Sequence, residues 1–399
     1  MTIKDLEFLA SQEGSLLLEQ LSLLTWPERH KLLFKTEAEK RTQVSAASAI
    51  IEAREKAEGK FSLANKMFFT SLGLEQSSSE KISNYIAERF ESDWRVADLG
   101  CGIGGNLLPL AKKTKKVIAL DEDEITLTCA KLNAKVYGLE NKIEFLNLKA
   151  EEFIASDKMK NIEAVFLDPA RDREGKTKTR SILNSRPNLL EILPEIFKQT
   201  KNVAVKISPA FDWQELSLLA EEPEVEVISE NNTCKVAILW FGDLKKNKRS
   251  LACFRNDADY FFSSNKDYTE VQVEVEEGQP KFLFEPDKAF IKSGLSEEWA
   301  KENNLKKIDL SARYLGSEKQ IKGPGRILET ILLEDISVRE LAKELTRREI
   351  KRAEISAKNH FLKPDDIRKK LKIKEGGNHV IIFTENCLGK KLVFLGKRL

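Results

Sequence analysis

Cysteine is scarce in this 399-residue chain: Cys101, Cys129, Cys234, Cys253 and Cys387 lie far apart and never form a CxxC pair. That excludes a disulfide framework and a cysteine-based zinc site. Histidine is scarcer still, with His30, His360 and His379 equally scattered, so no metal is expected. Glycine (19) and proline (11) are too few for a low-complexity or collagen-like chain. No stretch reaches about 18 uninterrupted apolar residues, and Asp5 and Glu7 stand where a secretory signal needs an apolar run. A cytoplasmic protein with no membrane partner is expected. Neither sign of charge predominates, because 66 Lys and Arg against 64 Asp and Glu leave a net +2. That excludes a chain coated uniformly with positive charge.

What is present is a globular composition. Hydrophobic residues are 41% and charged residues 33%, enough for two or three separate cores in a chain of this length. The balanced charge hides an asymmetry. Residues 331–399 hold 17 basic and 10 acidic side chains, net +7, whereas residues 1–330 hold 49 and 54, net −5.

Residues 1–66 read as a helical unit, with Leu6, Leu9, Leu16, Leu17, Leu18, Leu21, Ala46, Ala49, Ile50 and Ala53 at helical spacing. From Arg95 the pattern changes to short apolar strands alternating with helices, which predicts a doubly wound α/β parallel sheet. Strands are expected near 95–99, 116–120, 142–147, 162–167 and 202–207. A closing antiparallel hairpin, 224–229 with 234–241, turns at Asn231-Asn232. The domain so defined spans 67–243. The polar, basic stretch 243–250 reads as a linker. Beyond it, 251–325 reads as a small α+β unit in which 269–286 forms two strands around Gly278-Gln279-Pro280, followed by a helix near 288–303. Residues 326–399 read as a basic α+β domain with helices near 337–348 and 364–371, a strand-like 348–355, and a hairpin made by HVIIFTE and KKLVFLG.

The chemistry concentrates in VADLGCGIGGN, residues 96–106, placed between a predicted strand and a helix. Gly100 and Gly102 allow a tight turn and a close approach of backbone to ligand. Asp121 ends the next strand, where a carboxylate can accept both hydroxyls of a ribose. Gly100, Gly102 and Gly105 also satisfy the dinucleotide pattern GxGxxG, so the glycines alone do not separate a nicotinamide enzyme from a methyltransferase. Other features do. Asp98 could hold an amino-acid ammonium but would repel a pyrophosphate, AVFLDPAR (164–171) places Asp168 at the carboxyl edge of the sheet, and the sheet finishes in a hairpin.

Together these residues resemble the class I S-adenosylmethionine-dependent methyltransferases. The resemblance implies a Rossmann-like domain that binds S-adenosyl-L-methionine, with Asp98, Gly100, Gly102 and Gly104 on the methionine side and Asp121 on the ribose. Asp168-Pro169 occupies the substrate-facing motif, but Ala170-Arg171 stands where amino-directed members carry Pro-aromatic. Arg171 could instead stack on a base or bind phosphate, which makes Asp168, Pro169 and Arg171 the candidate catalytic group. After the third strand Lys149 stands where many members have an acid that binds the adenine amino group. Lys149 cannot accept a hydrogen bond, so Glu151 or the backbone must substitute. Lys206 and Ser208 follow the fifth strand and are expected at the cleft edge, Lys206 against substrate. The segment 67–90 resembles the lead-in of cap-guanine and related RNA methyltransferases, and implies that Gln76 and Ser77 touch the cofactor, although Ser77–Ser79 equally suit a helix N-cap.

The C-terminal segments LFEPDKAFIKSGL (283–295), ARYLGS (312–317) and 358–377 resemble bacterial class I methyltransferases that end in a THUMP-like domain behind a small ferredoxin-like unit. That resemblance implies an RNA partner. Independently, residues 343–374 carry 12 basic and 5 acidic side chains, including Arg368, Lys369 and Lys370, a density able to neutralise several phosphates. Ordinary solvated helix faces with some Glu–Lys pairing would look similar. The expectation is a methyltransferase acting on an RNA base of ribosomal or transfer RNA. The alternatives are a protein or small-molecule methyltransferase and a non-catalytic RNA-binding protein that keeps the fold.

Overall fold

The structure is a computed structural model that describes all residues except 172–180, 267–272, 277, 358–362 and 388; for Ala38, Glu39 and Arg171 it describes the backbone alone. The chain divides into two units, Met1–Pro223 with Ile238–Lys246, and Glu224–Ala237 with Asn247–Leu399.

The first unit opens with helices α1 (Ile3–Leu9), α2 (Gln12–Ser22), α3 (Trp26–Lys35) and α4 (Ala38–Ala57). Their starts follow from local chemistry. The Thr2 and Thr25 side chains close capping boxes with Asp5 and Glu28, and the Ser11 hydroxyl accepts from the Gly14 N–H. The apolar spacing of the sequence becomes a core in which Leu6, Leu9, Leu18 and Leu21 pack with Ala46, Ala47, Ile50 and Ile51, while Leu16 stays exposed.

A lead-in segment with α5 (Ser71–Gln76) and α6 (Glu80–Ala87) connects these helices to the sheet. Strands β1 (Arg95–Leu99), β2 (Lys116–Leu120), β3 (Ile143–Leu146) and β4 (Ala164–Leu167) follow, separated by α7 (Leu107–Lys113), α8 (Glu124–Val136) and α9 (Ala150–Ile154). Two short strands, β5 (Ala170–Arg171) and β6 (Ser185–Arg186), pair antiparallel before α10 (Leu189–Phe197) leads into β7 (Val203–Ile207). The order β7-β4-β1-β2-β3 is parallel throughout. Val96, Ala97, Leu99 and Val165–Leu167 are buried, as befits a parallel sheet whose faces are both covered. The chain leaves β1 in one direction for β2 and β3 and in the other for β4 and β7, so the reversal of strand order falls between β1 and β4. Ligands bind at that kind of crevice, outside the carboxyl ends of the strands.

The expected hairpin forms from β8 (Glu224–Glu230) and β9 (Thr233–Trp240), which are hydrogen-bonded neighbours. Asn231 and Asn232 both have positive φ, 48° and 60°, the conformation a two-residue hairpin turn requires and one that asparagine tolerates. Ile238–Trp240 of β9 belongs to the first unit and the rest of the hairpin to the second.

In the second unit β8 pairs parallel with β10 (Arg249–Phe254), which pairs antiparallel with β11 (Tyr260–Ser264). Three residues differ from the expected linker: Leu244 is buried, and Arg249 and Ser250 open β10 and are buried. Arg249 can be buried because its guanidinium pairs with buried Glu298 and donates to the Gly294 and Lys266 carbonyls. After β12 (Phe282–Pro286) come α11 (Lys288–Ser293), α12 (Ser296–Glu302), β13 (Lys306–Lys307), β14 (Leu315–Ser317), β15 (Gly325–Glu334), α13 (Val338–Arg347), β16 (Glu354–Ala357), α14 (Pro364–Leu371), β17 (His379–Glu385) and β18 (Lys391–Arg398). The second sheet runs β13-β14-β12-β15-β18-β17-β16.

The strand pair expected across Gly278-Gln279-Pro280 does not form. Residues 267–272 of its first half lie outside the described residues, Val275 bridges Lys307, and β12 lies between β14 and β15. The hairpin of β17 and β18 does form, and alternation along it supplies two cores. Ile381, Phe383, Val393 and Leu395 pack with Leu341, Leu345, Ile367 and Leu371 of α13 and α14. Val380, Ile382 and Phe394 pack with Leu283, Tyr314 and Leu328.

Candidate functional site

Strand register places four charged side chains on one face at the carboxyl edge of the first sheet. Asp98 of β1 is opposite Ala119 of β2 and Phe166 of β4, and Phe166 is opposite Ala204 of β7. Two residues further along each neighbour stand Asp121, Asp168 and Lys206, and the period of two brings all three to the face of Asp98.

Their environments differ. Asp98 is 1% exposed, and neither carboxylate oxygen has a hydrogen-bond partner among the described residues. Burial pushes its pKa well above the usual carboxylate range, Asp168 and Asp121 push it further, and Lys206 opposes them. Asp121 is half-buried and held rigidly, its Oδ2 accepting from the Gly102 N–H at 2.9 Å and its Oδ1 from the Asp123 N–H at 2.9 Å. Burial raises its pKa too, against these two hydrogen bonds. The Asp168 Oδ2 accepts from the Lys206 Nζ at 2.6 Å, while its Oδ1 accepts no hydrogen bond from the described residues. The Cys101 thiol is pushed up by burial and by Asp98 and Asp121, so it stays protonated.

The glycine loop fits closely around this edge. Gly100 and Gly102 have φ of 94° and 56°, a region costly for a side chain. A Cβ on Gly100 would lie 3.2 Å from the Asp168 carbonyl oxygen, whereas a Cβ on Gly102 would meet nothing within 4 Å. The space over Gly102 is therefore open and borders Asp121. The lead-in covers the far side of the loop: Ser77 sits where a Cβ of Gly105 would be, with its Oγ 2.0 Å from that position, and Ile103 contacts Gly73 of α5. Buried Asn133 of α8 secures the arrangement by accepting from the Phe68 N–H and donating to the carbonyls of Phe68 and Ile103.

An orphaned buried carboxylate beside an open cradle of backbone suits a ligand that carries an ammonium, and Asp121 beside it suits a ribose. A pyrophosphate would meet Asp98, Asp121 and Asp168 as like charges. A family model described as RNA cap guanine-N2 methyltransferase matches residues 94–244, which hold every one of these groups, and a THUMP domain-like model matches residues 325–398. An uncharacterised S-adenosylmethionine-dependent methyltransferase of Mycobacterium tuberculosis is 23% identical over 324 residues, 80% of this chain and 85% of that one. The chain is a class I S-adenosylmethionine-dependent methyltransferase. Its C-terminal domain is THUMP-like, and its cofactor is S-adenosylmethionine. The crystal structure of a candidate methyltransferase from Porphyromonas gingivalis shares the fold, with a TM-score of 0.81 at 21% identity over 96% of both chains. An uncharacterised RNA methyltransferase of Leptospira interrogans is 28% identical over 138 residues, 35% of each chain.

Among the residues expected at the methyltransferase site, Asp98, Gly100, Gly102, Asp121, Asp168 and Lys206 converge. Gly104, with φ of 97°, packs inward against Leu108 and Ala130. Pro169 is half-buried beside Asp168. Gln76 is exposed at the end of α5, and Glu151 is exposed in the first turn of α9, which Lys149 caps. The side chain of Arg171 lies outside the described residues. Asn133 carries no motif, so the clamp it makes was not foreseen; its place among Cys129, Ala130 and Ala134 on the buried face of α8 was the available signal.

In the THUMP-like domain, Arg368 is largely withdrawn from solvent, bonding Asp365 at 2.6 Å and lying 3.7 Å from Glu375. Arg347 and Arg348 share Glu344. By contrast Lys351, Arg352, Lys369, Lys370, Lys372 and Lys374 are exposed and form no ion pair among the described residues. Backbone pairing joins two stretches of this cluster, since the Ala353 N–H donates to the Lys374 carbonyl and the Lys374 N–H to the Lys351 carbonyl. Among the described residues no group of His, Cys, Asp or Glu is placed to hold a metal ion, and no helix is long and apolar enough to cross a membrane.

Proposed function

We propose that this methyltransferase is a cytoplasmic enzyme that methylates a base of ribosomal or transfer RNA, with its THUMP-like domain binding the RNA backbone. The observation that carries the reading is the group of exposed basic residues Lys351, Arg352, Lys369, Lys370, Lys372 and Lys374, which form no ion pair among the described residues, in a domain similar to the THUMP domain. Exposed Lys and Arg without acidic partners release counterions when they meet phosphates, so binding is expected to weaken steeply with salt. The name of the Leptospira relative points the same way.

In the site, Asp98 receives the methionine ammonium of the cofactor, the tight turn at Gly100 and the open backbone at Gly102 lie along its amino-acid tail, and Asp121 accepts from the ribose. Fixing Asp121 through two backbone N–H groups leaves lone pairs on both oxygens for the two hydroxyls. When bound, the cofactor supplies an electrophilic methyl group on a sulfonium. The protein must then orient the acceptor and manage its proton. Asp168 is placed to do this, because Lys206 holds one of its oxygens and leaves the other to accept from an N–H of the base. Pro169 shapes the wall beside it. Arg171 replaces the stacking aromatic of amino-directed relatives and takes a flanking base or phosphate.

Comparison of methylated nucleosides in ribosomal and transfer RNA from cells with and without the gene tests the proposal. One methylation lost in the deletion and restored by the wild-type gene, but not by an Asp168→Ala gene, is the expected result. An unchanged set of modifications in both RNA pools contradicts it.

A further inference from the structure

Three carboxylates and one ammonium share the face described above, yet they do not pair evenly: Lys206 bonds Asp168, and Asp98 has no hydrogen-bond partner among the described residues. We propose that Lys206 is a positioning residue for the cofactor: its ion pair neutralises a carboxylate facing Asp98 and so leaves Asp98 as the anion that receives the methionine ammonium. The inference rests on the cofactor role of Asp98 and adds a residue that would never touch the cofactor tail itself.

The geometry makes Lys206 well suited to this. Its side chain is 10% exposed and that of Asp168 31%, so the pair is screened only partly by water and its field reaches across β4 to β1. The strand positions are fixed by register, with Val205 opposite Leu167 one step before the pair, so Lys206 cannot easily turn elsewhere. Among the described residues, the charged and titratable groups facing Asp98 are Asp121 on the β2 side, Asp168 on the β4 side, Lys206 on β7 and the Cys101 thiol in the glycine loop. Lys206 is the one cation among them. Without it Asp168 would stand as a bare negative charge opposite a carboxylate already raised by burial, and Asp98 would take up a proton at a higher pH. A protonated Asp98 offers the ammonium no counter-charge.

Calorimetric titration with S-adenosylhomocysteine, which keeps the methionine ammonium, tests this in the full-length wild type, Lys206→Met, Lys206→Arg and Asp98→Ala. Lys206→Met is expected to bind about tenfold more weakly than wild type at about pH 6 and to recover toward wild type as pH rises, because Asp98 then sheds its proton in both proteins. Lys206→Arg is expected to keep the wild-type profile, and equal thermal melts would exclude misfolding. If Lys206→Met follows the wild-type curve, or loses affinity equally at every pH, the inference is wrong even though Asp98→Ala has lost binding. If Asp98→Ala binds normally, the assignment of Asp98 itself fails.

Discussion

Asn133 and Phe68 bond reciprocally: the Phe68 N–H donates to the Asn133 Oδ1 at 2.7 Å and the Asn133 Nδ2 donates to the Phe68 carbonyl at 2.9 Å. The same amide donates to the Ile103 carbonyl at 2.8 Å, so one buried side chain ties the lead-in to the glycine loop. Asn133→Leu leaves one N–H and two carbonyls unsatisfied in the core, and should cost about 2–4 kcal/mol in denaturant unfolding. It should also weaken S-adenosylhomocysteine, because the lead-in no longer braces Gly105. A stable variant with unchanged affinity would show that the clamp is incidental.

Gly102 and Gly104 separate strain from ligand contact. Both have positive φ, so alanine at either should cost roughly 1–2 kcal/mol of stability. A methyl group at 102 would enter the open space beside Asp121, whereas at 104 it would make ordinary contact with Leu108 and Ala130, away from that space. Calorimetry is therefore expected to show a larger loss of S-adenosylhomocysteine affinity for Gly102→Ala than for Gly104→Ala, at similar melting temperatures. Equal losses would remove Gly102 from the binding surface.

Asp98 exchanges stability for binding. Because folding raises its pKa, its contribution to stability is full below the unfolded carboxylate range and is lost as pH rises through the raised value. Asp98→Asn should flatten that decline and stabilise the ligand-free protein by about 1–3 kcal/mol near neutral pH, while abolishing binding of S-adenosylhomocysteine. Thermal melts across pH, with and without ligand, check both halves. A variant less stable than wild type at neutral pH would mean that Asp98 is better accommodated than its missing partners suggest.

Much of this site is legible in the amino-acid sequence. Asp98, Gly100, Gly102, Asp121 and Asp168 are marked by local pattern, because each ends a short apolar strand or begins a turn, and strand order then brings the ends together. What escaped depends on packing between distant segments. Asn133 looks like an ordinary helix residue until Phe68 and Ile103 are placed beside it. The pairing of Lys206 with Asp168 joins residues 38 positions apart in sequence, so no local pattern marks it. Arg249 read as linker because its counter-charge, Glu298, is 49 positions away, and β12 found partners at 315–317 and 325–334 instead of across the nearest turn. Net charge also misled in its raw form, since +2 averages an acidic body and a basic end.

The basic cluster should behave as a phosphate-binding surface. For a folded RNA that the protein binds, the slope of log affinity against log salt should fall by about one unit for each of Lys369→Ala and Lys370→Ala. Arg368→Ala should change the slope less, because Asp365 already occupies its guanidinium. Fluorescence titration at several salt concentrations measures the slopes. Identical slopes for wild type and a double Lys369→Ala, Lys370→Ala variant would place the RNA elsewhere.

The most direct test is transfer of tritium from methyl-labelled S-adenosylmethionine into total RNA from cells that lack the protein. Wild type should deliver label that nuclease releases and protease does not, and Asp168→Ala should fall by about a hundredfold or more while still binding S-adenosylhomocysteine. Label that enters protein and resists nuclease, or equal transfer by Asp168→Ala, would contradict an RNA methyltransferase working through this edge of the sheet.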